Sequence, residues 1–219
     1  MVDLGHEDTF NAALEQISPV AYDNYSNHYS TFIELVLGDI GKVDVDAVLA
    51  GDVTSILKLL ENRAEVTGIV PGVELEIVEI RSNQNNHTAI YGQRIHGIPF
   101  ELTSNVKFDN TGSVKRLSST LIDPSKIDAQ PTVFEPEAVV HAKSELANDL
   151  GVYIDDIVVL GEQAIYERIS PPTLYFGVNS DDELYPFWLI ALKSEKQGLV
   201  REVTVDARTG QSKLRQLQP

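Results

Sequence analysis

The sequence predicts an α+β fold of two units, each a helix packed on its own antiparallel sheet. Helical periodicity precedes strand alternation in both halves of the chain, so helices and strands are segregated and not interleaved as βαβ units. One short phrase also occurs twice, as F-D-N-T-G-S-V-K-R-L at Phe108–Leu117 and V-D-A-R-T-G-Q-S-K-L at Val205–Leu214. Asp followed by Thr-Gly between β-patterned runs is hairpin chemistry. The Asp carboxylate accepts from nearby backbone N–H groups, and Gly supplies the positive φ that closes the turn. Asp109 with Gly112, and Asp206 with Gly210, are therefore the expected hairpin-forming residues.

Taken in order, residues 1–18 are polar and weakly patterned. From Pro19, the residues Tyr22, Tyr25, Tyr29, Phe32, Ile33 and Val36 recur near i, i+3, i+7 spacing, which predicts an amphipathic helix stopped by Gly38. Asp52 is placed to cap a second helix with Val53, Ile56, Leu57 and Leu60 on one face. The period then drops to two: Val73, Leu75 and Ile77 alternate with Glu74 and Glu76. S-N-Q-N-N at 82–86 reads as a turn, and strands are expected near 88–95, 100–108 and 113–120. D-P-S-K-I-D-A-Q-P-T at 123–132 has neither period and carries two prolines, which marks a boundary. Beyond it, Pro136 suits a first helical turn, Val139, Ala142, Leu146 and Leu150 form an apolar face, and Gly151 stands where a C-terminal glycine belongs. Strands are expected near 156–160, 163–169, 173–178, 185–193 and 199–206. The expected organisation is a polar segment and helix at 1–44, a first α+β unit at 45–122, a linker at 123–134, and a second unit with a tail at 135–219.

A formal net charge of −16 argues against nucleic acid and anionic membrane surfaces as partners. The chain has no cysteine, which excludes disulfides and thiolate catalysis. No run approaches the roughly 18 apolar residues of a membrane span. A thermolysin-type zinc site needs H-E-x-x-H, and the nearest approach is H-A-K-S-E, with His141 and Glu145 one helical turn apart. Two ligands fall short of the three or four that hold zinc. His6-Glu7-Asp8, Asp155-Asp156 and Asp181-Asp182-Glu183 lack the alternating spacing of a calcium loop. Neither a G-x-S-x-G nucleophile frame nor a Gly-rich phosphate loop is present. The expectation is a protein without catalytic residues, metal or cofactor, and so not an enzyme.

The flanks of the two phrases sharpen this reading. The first is preceded by Q-R-I-H-G-I-P-F at 93–100 and followed by L-S-S-T-L-I-D-P at 117–124, with A-G-D-V-T-S-I-L-K-L-L-E-N at 50–62 upstream. This combination resembles the fungalysin/thermolysin propeptide domain. The second phrase follows F-W-L-I-A-L at 187–192 and completes V-T-V-D-A-R-T-G at 203–210, which resembles the PepSY domain. The resemblance spans about residues 45–210 and keeps the order these domains have ahead of a thermolysin-like catalytic domain. It implies two cystatin-like units and a propeptide that acts as intramolecular chaperone and inhibitor. Its partner would be the catalytic domain of a secreted zinc metalloprotease, met in transit to the periplasm or medium. Gln93, Ile98, Pro99, Lys213, Leu214, Arg215 and Leu217 are the residues expected to face that partner, and the polar tail with its spaced leucines suits an extended strand in a protease groove, with Leu214 or Leu217 filling an apolar pocket. Two alternatives stand beside it: a free-standing exported module that binds a protease or another extracellular partner in trans, and a cytosolic structural protein that shares only the fold.

Overall fold

Alternation wins over helical spacing along most of the chain. The computed structural model describes residues 21–26, 30–37, 40–67, 69–127, 130–161, 171–178 and 183–215. The chain divides into two units, residues 1–127 and 128–219.

The first unit contains strands β1 (Ala21–Ser26), β2 (Ser30–Leu37), β3 (Glu74–Ser82), β4 (Asn86–Ile95), β5 (Ile98–Asp109) and β6 (Val114–Ile122). They pair antiparallel in the order β1-β2-β6-β5-β4-β3. Its helices are short: α1 (Val45–Leu49), α2 (Thr54–Glu61) and α3 (Ala64–Thr67). Ile56, Leu59 and Leu60 of α2 share a core with Ala89 and Tyr91 of β4, Val106 and Phe108 of β5, and Leu117 of β6. Burying each large side chain contributes about 1.5–3 kcal/mol, so this shared core holds the short helices to the sheet. The second unit has one long helix, α4 (Glu135–Leu150), and strands β7 (Ile157–Val159), β8 (Thr173–Val178), β9 (Leu184–Ser194), β10 (Val200–Asp206) and β11 (Ser212–Leu214). Strand β10 lies between β9 and β11, while β7 and β8 pair with different stretches of β9. The small face of α4, Ala138, Ala142 and Ala147 with Leu146, lets the helix lie close to Ile190, Leu192, Val203 and Val205.

The expected pair of cystatin-like, helix-on-sheet units is not what forms. Strand dominates the described residues, and the helices of the first unit are short, of 5, 8 and 4 residues, the 8-residue α2 standing where a helix was expected after Asp52. Gly51, at φ 88°, interrupts the helical course, and the Asp52 carboxylate then accepts from the Thr54 amide to start a new helix. The helix expected from Pro19 to Val36 is also replaced, by β1 and β2. The ladder of β2 shifts register on both sides, against Asp23 and Asn24 of β1 and, between Ile33 and Val36, against β6. The extra residue lies on β2 in both cases, and it stretches the two-residue period there to three between Ile33 and Val36, which imitates helical spacing. The strand expected near 163–169 lies outside the described residues.

Gly112 provides a direct test of how the first unit is held. Its φ is 79°, and a Cβ placed there collides with the Val43 carbonyl oxygen. Gly151 has a similar φ of 63° with open space around it. Gly151→Ala is expected to cost about 1 kcal/mol for the left-handed backbone, and Gly112→Ala about 3 kcal/mol or more because strain and collision add. Urea denaturation of both variants, with amide exchange of Val106 and Val114 as the local probe, measures the difference. Equal costs would mean that the segment around Val43 yields freely.

Candidate functional site

The two Asp-Thr-Gly turns are built alike at their centres. In the β5–β6 turn, Asp109 Oδ1 accepts from the Thr111 hydroxyl at 2.6 Å and from the amides of Thr111 and Ser113 at 2.9 and 3.1 Å. Lys115 Nζ stands 3.2 Å from its other oxygen. These donors, led by the Thr111 hydroxyl, hold the Asp109 carboxyl well below the usual carboxylate range. In the β10–β11 turn, Asp206 Oδ1 accepts from the amides of Arg208 and Thr209 at 2.7 and 3.0 Å. The Gly112 amide donates to the Asp109 carbonyl and the Gly210 amide to the Asp206 carbonyl, each at 2.8 Å.

Each turn also receives a distant piece of its own unit. The Val43 amide donates to the Gly112 carbonyl and the Val114 amide to the Gly41 carbonyl, both at 2.9 Å. Asp44, next in sequence, accepts from the Ala47 amide and starts α1. In the second unit the amides of Thr132 and Val133 donate to the Ala207 carbonyl at 2.7 and 2.8 Å, and α4 begins two residues later. The Trp188 indole donates to the Val133 carbonyl at 2.9 Å. The repeated phrase is thus a socket for the segment that leads into a helix. Val43, Val133 and Ala207 escaped the sequence reading because they join the turns through backbone groups, and Thr132 adds a hydroxyl that donates to the Arg208 carbonyl at 2.9 Å. The one signal was position, immediately ahead of a helix start.

The residues expected to face a partner are divided by the structure. Gln93 is buried at 1% exposure, and its side chain clasps both the amide and the carbonyl of Ile122, at 2.8 and 2.7 Å. Ile98 and Pro99 are half-buried beside the β4–β5 turn, where His96 and Gly97 take positive φ and Arg94 bonds the Gly97 carbonyl. Leu214 belongs to β11 and packs against the second core. Lys213 is exposed on the same strand, the Arg215 amide bonds the Glu202 carbonyl, and Leu217 lies outside the described residues. The two sets belong to separate units.

His141 and Glu145 serve packing on α4. The His141 Nε2 atom would lie 2.9 Å from a Cβ on Gly210, so that glycine makes room for the imidazole. Glu145 accepts from the Ser212 hydroxyl at 3.3 Å. Among the described residues no three of His, Asp and Glu gather as a metal site, and no helix is long and apolar enough to cross a membrane. Burial pushes the phenol of Tyr91, in the core of the first unit, up to about 12.

Two measurements follow from this geometry. A carboxyl with a lowered folded-state pKa stabilises the fold fully above its unfolded value of about 4 and loses that contribution as pH falls through the folded value. Asp109→Asn is therefore expected to lower the denaturation midpoint at neutral pH, with the gap from the parent closing under strongly acidic conditions. A gap that stays constant as pH falls would show that the charge is not what the turn uses. Leu214→Ala is expected to destabilise the second unit by about 1–2 kcal/mol, less than full burial would cost. Urea titration of the fluorescence of Trp188, the single tryptophan, reads this. An unchanged midpoint would place Leu214 outside the core.

No family model and no curated protein matches the sequence. Among solved structures, the chain is similar to the Bacillus megaterium YpeB C-terminal domain, at 13% identity, over 100% of this chain and 99% of that one, with a TM-score of 0.38.

Proposed function

We propose that the chain is a non-catalytic binding module that serves a thermolysin-like zinc metalloprotease as propeptide, templating its folding and blocking its cleft. The observation that carries the non-catalytic part is the use made of the most distinctive polar side chains. Gln93 ties β4 to the end of β6, Asp109 and Asp206 organise turns, and Glu145 meets Ser212. Each is engaged within its own unit. The choice of partner rests on the resemblance of residues 45–210 to a propeptide domain followed by a PepSY domain. A template works by mass action, since a surface that binds the folded protease and not the unfolded chain stabilises the former. Leu214 is committed to the second core, so under this reading contact with the protease falls to the Ile98–Pro99 turn region and to residues beyond Arg215.

The test is a refolding and inhibition assay with denatured and mature thermolysin-like proteases. Adding the chain during refolding is expected to raise the recovered peptidase activity, and adding it to mature enzyme to lower activity in proportion to dose. The chain alone is expected to hydrolyse nothing, with or without zinc. Inhibition without any gain in refolding would favour a free-standing module acting in trans. Neither effect across the set would remove the protease as partner.

A further inference from the structure

One cleft beside α2 has only cations as its charged lining. The cleft, of about 580 Å³, lies between α2 and the Ile40–Lys42 segment, walled by Lys42, Lys58 and Arg63 with Ile40 and Leu59 as apolar lining. None of the three cations is ion-paired among the described residues, in a protein with a formal charge of −16. Arg63 is anchored through Nε to the Ile40 carbonyl at 3.2 Å, which leaves its terminal nitrogens facing other partners. The Ser55 hydroxyl lines the same cleft, is buried and has no hydrogen-bond partner. A buried hydroxyl without a partner is unfavourable until an acceptor reaches it. The carboxylate whose charge acts on Lys58 is that of Asp52, already engaged by the Thr54 amide.

We propose that this cleft binds a run of carboxylates on an acidic peptide segment. Three cations line one cleft of a strongly acidic chain, which complements a ligand carrying several negative charges. Two of them are lysines, point charges on flexible stems, without the fork that fits one oxyanion bidentately. Ile40 and Leu59 offer apolar contact to the methylene stems of glutamate. The volume falls within the range of about 300–1,000 Å³ that holds a ligand of several groups. The acidic surface elsewhere does not prevent this, because salt screens charges beyond about 8 Å while the cleft cations act at contact. The proposal does not depend on the protease reading.

A fluorescein-labelled hexaglutamate peptide is the probe, followed by anisotropy at low and raised salt, with inorganic phosphate as competitor at matched ionic strength. The parent chain is expected to bind saturably, and more weakly as salt rises. The double variant Lys42→Gln/Lys58→Gln is expected to lose about tenfold in affinity, and Ser55→Ala severalfold. The urea midpoint of the double variant should match the parent, because neither lysine holds an ion pair. Absence of saturable binding by the parent would overturn the proposal, as would undiminished binding by the double variant. Displacement of the peptide by phosphate would also overturn it, by showing that the cleft takes a single oxyanion.

Discussion

Backbone hydrogen bonds between a helix-entry segment and an Asp-Thr-Gly turn hold each unit in register. In the first unit Gly41 and Val43 exchange bonds with Val114 and Gly112, and in the second Thr132 and Val133 share the Ala207 carbonyl. A strand pairs along its length, but a helix entering a sheet protein has no ladder to fix its start. Tying the residue before the cap to a turn supplies that missing restraint. Once Val43 is placed, Asp44 caps α1, and the core that joins Ile56 and Leu60 to Tyr91 and Phe108 can close. Glycine at 112 is required because the carbonyl of Val43 occupies the space a side chain would take.

What could be read from the sequence was local. The turn residues state their own geometry, since Asp109 and Asp206 act on amides within four residues. The α4 helix announced itself through Pro136, its apolar face and Gly151, which takes the left-handed conformation. The segment of β1 and β2 was misread as one helix, and in β2 register shifts disguise the strand period. The helix expected after Asp52 does form, as the 8-residue α2. Longer-range roles left no mark. Gln93 acts on Ile122, 29 residues away, and nothing in its neighbours reveals that. The cleft cations are likewise dispersed, at Lys42, Lys58 and Arg63, and only folding gathers them.

The first unit also shows how a sheet edge is kept from pairing further. Strand β3 pairs only with β4 among the described strands, and its edge carries Glu74, Glu76 and Glu79 with a register shift at Val78. Arg94 offsets Glu76 and Arg81 offsets Glu79 at 2.9 and 2.7 Å, so the charges persist without leaving the edge uniformly negative. A bulge and a line of charge are both obstacles to a second chain adding as a strand. Val78, at 57% exposure, is the point where the strand bends away from a flat ladder.

The position of β11 has a mechanical meaning. It is a three-residue strand at the margin of the second unit, joined to β10 by the 206–210 turn and pairing only Ser212–Leu214 with Val203–Val205. A load applied at Arg215 and directed away from β10 is carried first by the bond from its amide to Glu202 and then by the ladder beyond it, one contact after another. Such a strand peels; it does not shear. Leu214 would come free of the core while α4, β9 and β10 still held theirs, which makes β11 a release that yields at low force and shields the rest of the unit from tension.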